Sequence, residues 1–251
     1  MKHTSLFQRM GTAAVLLAAS LTIFAQKDQQ KALCIGNSFT FYNDSHLMLS
    51  RIAQSEGHQL KTESATVGGY TFYRHLINDK TMAAISDGKY DYVFLQDQSQ
   101  TPAICAEQGR KGRIIARDAR ELADRIRIYS PQAHIWIEQT WAYPRHKFGG
   151  FGSMERFDEL LRRGTKKMAR KAHTDVSPIG PAFAIVRSER PDIELYTADK
   201  QHPSPAGTYL KSCVNYLVIY ATPFGTNTDA CDIDAAQAAY LRKVAERVVL
   251  K

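Results

Sequence analysis

Short apolar runs recur along the chain at residues 32–35, 59–67, 92–95, 134–139 and 174–179, and longer amphipathic stretches lie between them. The third and fourth runs are preceded by the turn-forming segments SDGKYD and SPQ, which mark them as strands. Their apolar density suits strands covered on both faces. Apolar spacing of three and four residues predicts helices over 44–56, 72–87, 108–129, 154–172, 182–188, 205–220 and 234–250. Strand and helix alternate, the signature of a three-layer α/β/α architecture with a mostly parallel five-stranded sheet. No internal repeat, low-complexity tract or Pro/Gly/Ser-rich linker divides the chain, so residues 26–251 are expected to form a single α/β domain.

Residues 1–25 break the pattern. Lys2, His3 and Arg9 make a basic start, and residues 11–25 are nearly all apolar or small. This reads as a secretory leader cut after Ala25, with an uncleaved anchor as the alternative, and implies a secreted or periplasmic protein. No later stretch approaches the roughly 20 apolar residues of a spanning helix, so no membrane span is expected after cleavage. An oxidising compartment permits disulfides among Cys34, Cys105, Cys213 and Cys231. Cys213 and Cys231 flank a helix and can pair, whereas Cys34 fits a buried strand as a small apolar thiol. No C-x-x-C spacing suggests a metal knuckle. The formal charge of +8 falls to +6 when Lys2 and Arg9 leave with the leader, which favours an anionic partner without choosing one.

In open parallel sheets, ligands gather beyond the carboxyl ends of the strands. That rule directs attention to GNSFT, VGGYTF, QDQSQTP and EQTWAYP, which follow the first four strands, and the late segment TADKQHPSPAG joins them for its chemistry. Serine attacks only when a base takes its proton, and that base needs an orienting acceptor. Of the histidines, His202 alone has an acid at telling spacing within a loop, Asp199, three residues earlier. Such a carboxylate can hold one ring nitrogen while the other faces outward. Ser204 and Pro205 then start a helix as N-cap and first-turn residue. The alternative is a capped surface loop, just as Ser38 alone reads equally as a helix cap or a nucleophile.

Taken together, IGNSFT near the mature N-terminus, VGGYT after the second strand and DKQHPS near the C-terminus resemble the SGNH (GDSL-like) hydrolase superfamily, in this order over residues 32–220. The resemblance implies a flavodoxin-like fold, Ser38 as nucleophile, His202 as general base and acid, and Asp199 as its partner. It also implies an oxyanion hole made by the backbone N–H groups of Ser38 and of Gly69, with Gly68 as neighbouring alternative. The chain departs from the family where G-x-N is usual: LQDQSQ puts Gln98 at the asparagine position, with Gln96 close enough to compete. Trp141 and Tyr143, at the same rim, either bind substrate by stacking on a sugar or lining an acyl pocket, or pack in the core. Arg162, Arg163, Lys166, Lys167, Arg170 and Lys171 form a basic helical face, either solvated or docked to an acidic polymer. No aromatic interleaving marks a nucleic-acid surface.

The expected function is that of an exported serine esterase acting through an acyl-enzyme on acyl esters, acetyl on carbohydrate foremost, with a small-molecule or polysaccharide substrate. A lysophospholipase or thioesterase is the alternative within the same chemistry, and a catalytically idle carbohydrate-binding protein lies outside it. The chemistry requires no metal or organic cofactor.

Overall fold

The computed structural model describes residues 29–144 and 150–250. The leader reading therefore lies outside the described residues. Among the described residues, five strands form one parallel sheet: β1 (Gln30–Gly36), β2 (Leu60–Thr66), β3 (Tyr92–Leu95), β4 (His134–Glu138) and β5 (Asp175–Ser177), in the order β2-β1-β3-β4-β5. Alternate side chains feed two cores. Ala32, Cys34, Phe94 and Trp136 face one, and Leu33, Ile35, Val93, Leu95, Ile135 and Ile137 face the other.

The first core is covered by α2 (Ser45–Ser55), α8 (Ile179–Glu189), α9 (Pro205–Tyr220) and α10 (Ala235–Val249). The second is covered by α3 (Phe72–Leu76), α4 (Asp79–Asp87) and α6 (Gly109–Tyr129). Residues of α7 (Met154–Ala172) enter both, Leu160 and Leu161 the first, Met168 and Ala169 the second. No helix among the described residues is long and apolar enough to cross a membrane.

The strand order reverses between β1 and β3, because the chain leaves β1 toward β2 and returns to β1's other side. Such a reversal opens a crevice at the carboxyl ends of the two strands. A short helix follows each of these strands: α1 (Ser38–Phe41) directly after β1, and α5 (Thr101–Glu107) after β3.

Several boundaries differ from the sequence expectation, each for a local reason. The helix expected over 72–87 is two helices, because Asn78 accepts the N–H of Thr81 and caps a new start at Asp79. The helix expected from 182 begins at Ile179, with Gly180 close under the Thr140 carbonyl, where a Cβ would lie 2.4 Å from the oxygen. The segment QDQSQTP ends in an unforeseen helix, α5, whose Pro102 sits in the first turn, where its missing N–H costs nothing. β2 is an edge strand, and its sequence LKTESAT alternates rather than running apolar.

Candidate active site

The turn after β1 is held tightly. Asn37, not Ser38, caps α1: its Oδ1 accepts the N–H of Phe39 at 3.2 Å, and its Nδ2 donates to the Tyr70 carbonyl at 3.0 Å. Ser38 is thereby released from capping. Its Oγ lies 2.8 Å from His202 Nε2, across 164 residues of sequence. Gly36 is required by close approach, since a Cβ there would lie 2.5 Å from Thr40 Oγ1 and 2.7 Å from Gln96 Oε1.

The loop from Tyr196 to Pro203 is a small closed turn. Thr197 N–H donates to the His202 carbonyl at 2.8 Å, Lys200 N–H donates back to Thr197, and Lys200 takes a left-handed φ of 57°. Within it Asp199 Oδ1 accepts from the Thr197 hydroxyl and from the N–H groups of Gln201 and His202, at 2.8 to 3.0 Å. Its Oδ2 accepts from His202 Nδ1. Partial burial pushes the Asp199 carboxyl up, but the bonds from the His202 ring and N–H, the Thr197 hydroxyl and the Gln201 N–H together hold it well below the usual carboxylate range. The structure thus brings Ser38, His202 and Asp199 into one chain of contacts, with His202 able to take a proton from Ser38 while its other nitrogen stays oriented.

Neither protein-family models nor curated sequences match the chain. Solved structures do. A DUF4886 family protein from Bacteroides uniformis superimposes with a TM-score of 0.76 at 20% identity, over 89% of this chain and 95% of that one. A protein from Slackia heliotrinireducens classed as an SGNH hydrolase gives 0.61 at 24% identity, over 76% and 100%. The acetyl xylan esterase AlAXEase gives 0.58 at 12% identity, over 75% and 99%. The fold is that of the SGNH hydrolases.

On this SGNH fold, the remaining expected residues take up distinct places. Gly69 sits exposed in the turn after β2, closed by Tyr70 N–H to the Val67 carbonyl, with a φ of +71° that favours glycine; Gly68 precedes it, equally exposed. Gln98 is partly exposed, and its amide is folded onto its own loop, donating to Ser99 Oγ at 3.1 Å and accepting from Gln100 N–H at 2.9 Å. Gln96 is buried; its Oε1 accepts from Asn37 N–H and Thr40 Oγ1, and its Nε2 donates to the Asp97 carbonyl.

Trp141 and Tyr143 are core residues rather than a rim. Trp141 is fully buried between Phe39 and Phe183, at 4.5 and 4.3 Å with rings nearly parallel, so neither face is left for a sugar. Its Nε1 donates to the Gln201 carbonyl at 3.3 Å, and the stack thereby joins the serine helix to the histidine loop. Tyr143 is buried against Phe39 and Phe157, with its hydroxyl 3.1 Å from Ser99 Oγ. The four cysteines are free and buried, Cys213 and Cys231 included, and burial raises all four thiols. Most of the basic residues of α7 are exposed, but Lys167 turns inward to the Cys105 carbonyl at 2.8 Å. Among the described residues, no group of three or more His, Cys, Asp or Glu is placed to hold a metal ion.

Sequence reasoning missed several residues around the site. Tyr42 stacks on the His202 ring at 4.4 Å, and Asn43, in a left-handed conformation, donates to the Pro203 carbonyl and Thr208 Oγ1. His75 and Lys211 reach the serine turn from opposite sides, at the Gly36 and Phe39 carbonyls. For Lys211 a signal existed: it is the one cation of the otherwise apolar or neutral helix PAGTYLKSCVNYLVIY.

Proposed function

We propose that the protein is a serine hydrolase acting on carboxylic esters, with Ser38, His202 and Asp199 as its catalytic triad. The observation that carries this reading is the continuous contact from Ser38 Oγ to His202 Nε2 and from His202 Nδ1 to Asp199. His202 takes the Ser38 proton as the hydroxyl attacks the ester carbonyl, gives it to the leaving alcohol, and then activates the water that frees the acid. Asp199 orients the imidazole and stabilises its charged form. The Ser38 and Gly69 N–H groups, with the Gln98 amide once it swings off Ser99, are the donors proposed for the oxyanion.

A short acyl group such as acetyl, carried on a carbohydrate, is the preferred substrate, because the Phe39–Trp141–Phe183 stack fills the space behind the serine helix. For a longer acyl chain, as in the lysophospholipase or thioesterase alternative, the candidate among the described residues is a cleft of about 260 Å³, its apolar wall made by Phe72, Tyr73, Ile104, Ile114 and Ile115 and its polar part including Asp97 and Asp118. Hydrolysis of 4-nitrophenyl esters from acetate to octanoate tests both statements. Acetate is expected to be cleaved fastest, and a preference for octanoate assigns the cleft instead. Ser38→Ala and His202→Ala are expected to lose nearly all activity, and Asp199→Ala about 10⁴-fold. Equal rates for wild type and Ser38→Ala overturn the enzyme reading and leave a binding protein.

Export with cleavage after Ala25 is part of the proposal, and the N-terminal sequence of the secreted protein tests it. The exposed Arg162, Arg163, Lys166 and Arg170 line a surface groove of about 270 Å³, which supports weak docking to an acidic polymer. Elution from immobilised heparin should then come early in a salt gradient.

A further inference from the structure

The cation of α9 stands out once the serine turn has been described. Lys211 is 1% exposed, and its Nζ lies 2.9 Å from Glu138 Oε2 at the end of β4. This is a buried ion pair, and the same ammonium has two further donors for the serine turn. They reach the Phe39 carbonyl and Thr40 Oγ1, each at 3.1 Å. Glu138 is itself fixed: its Oε1 accepts from Asn215 Nδ2 at 2.7 Å, and Asn215 Oδ1 accepts from Ser177 Oγ at 2.7 Å.

The contacts continue past Thr40. Its hydroxyl donates to Gln96 Oε1 at 3.0 Å, and the same oxygen accepts the N–H of Asn37 at 2.9 Å. Lys211 therefore brackets Ser38. It binds the carbonyl of the next residue directly and, through Thr40 and Gln96, the peptide N–H of the residue before. The same helix begins three residues after His202, with Ser204 as its cap. One rigid element thus carries the base at its start and grips the nucleophile's backbone two turns on.

We propose that Lys211, working through Thr40 and Gln96, is a positioning residue that fixes the Ser38 hydroxyl relative to His202. The role rests on the serine-hydrolase reading. It explains why an expensive buried ion pair stands under this turn, where an apolar pair of similar volume would serve stability at least as well. It also gives Gln96 a task other than oxyanion donation.

Two sets of variants test it. Thr40→Val keeps the shape and the ion pair but removes the hydroxyl that joins Lys211 to Gln96, while Thr40→Ser keeps that hydroxyl. Lys211→Met combined with Glu138→Gln removes both charges together, so neither is left buried alone. The measurements are kcat and KM on 4-nitrophenyl acetate, the rate at which a fluorophosphonate modifies Ser38, and thermal melting. Thr40→Val and the double variant are expected to fold and to lose about ten- to a hundredfold in kcat, the usual cost of an ångström-scale misplacement, with KM little changed. Modification of Ser38 should slow in step, and Thr40→Ser should restore most of the rate. A merely structural role lowers the melting temperature and leaves kcat of the folded protein at the wild-type value, and that result overturns the proposal. If the double variant does not fold, the Thr40 pair decides. A wild-type protein that neither cleaves ester nor reacts with the fluorophosphonate removes the serine-hydrolase reading, and the proposal with it. A reactive wild type with equally reactive variants removes the positioning role alone.

Discussion

Two buried carboxyls flank the Ser38 turn and meet opposite fates. On the α9 side, Glu138 faces the ammonium of Lys211 and the amide of Asn215. On the α3 side, Asp97 makes no ion pair among the described residues; its Oδ1 accepts from the N–H groups of Phe72 and Gln98 at 3.0 and 2.8 Å. Burial pushes Asp97 up to about 7, those two bonds pull it down in part, and Asp118 nearby raises it further. His75, fully buried on the same side, is pushed down to about 4 by burial, with its bond to the Gly36 carbonyl opposing. The difference shows how a protein can stiffen one turn by two means. One side uses opposite charges held together, and the other uses groups that burial drives toward neutrality and that serve as plain hydrogen-bond partners.

The largest effect should come from breaking the charged side unevenly. Lys211→Met alone leaves Glu138 buried without its counter-ion and is expected to destabilise the fold by about 3–5 kcal/mol. Adding Glu138→Gln should recover most of that loss. Urea unfolding of the two variants reads it directly, and a single variant as stable as the double would dissolve the contrast between the two sides. The next effect sits at Asp97. Its folded-state pKa is raised, so the folded chain keeps a proton between about pH 4 and 7 that the unfolded chain has released, and stability declines as pH rises through that window. Asp97→Asn keeps an acceptor for both N–H groups and removes the ionisation. It should stabilise the protein by about 2–4 kcal/mol at pH 8 and by nothing at pH 4. A gain independent of pH would mean that the carboxyl is not the source.

How far the sequence carries can be judged on the same turn. The alternation of apolar runs with amphipathic stretches was sufficient for the parallel sheet, because buried strands and one-sided helices leave a periodic record in the chain. Asp199 and His202 were legible for a similar reason, since a three-residue spacing in one loop is a local property. The Ser38 contact was legible only in combination, from the need of a serine nucleophile for a base and acid elsewhere in the chain and from the resemblance, as no local rule joins residues 164 apart. Trp141 shows the limit. A tryptophan after a strand end has the same sequence signature whether it lies at a rim or between two rings, and only packing against Phe39 and Phe183 decides. Gln96 and Lys211 were beyond reach in their roles, because each bridges elements whose contact depends on the whole fold.

The smallest effect, and the finest test of the contrast, lies in the pH response of His75. Its folded-state pKa is depressed, so as pH falls from about 6.5 to 4 the unfolded chain takes up a proton that the folded chain refuses, and stability drops. Over much of the same range Asp97 works in the opposite sense, gaining its proton in the folded state first. In the wild type the two slopes offset each other, and Asp199 stays out of the balance because its depressed pKa costs stability only below about pH 4. The Asp97→Asn background therefore exposes the histidine. There, unfolding free energy should fall by about 2–3 kcal/mol more between pH 6.5 and 4 when His75 is present than when it is replaced by His75→Gln. His46, also lowered by burial, acts in the same direction in both proteins, so only the difference between the two curves reports on His75. Parallel curves would show that His75 is protonated as readily in the fold as out of it, and the α3 side would then hold a cation after all.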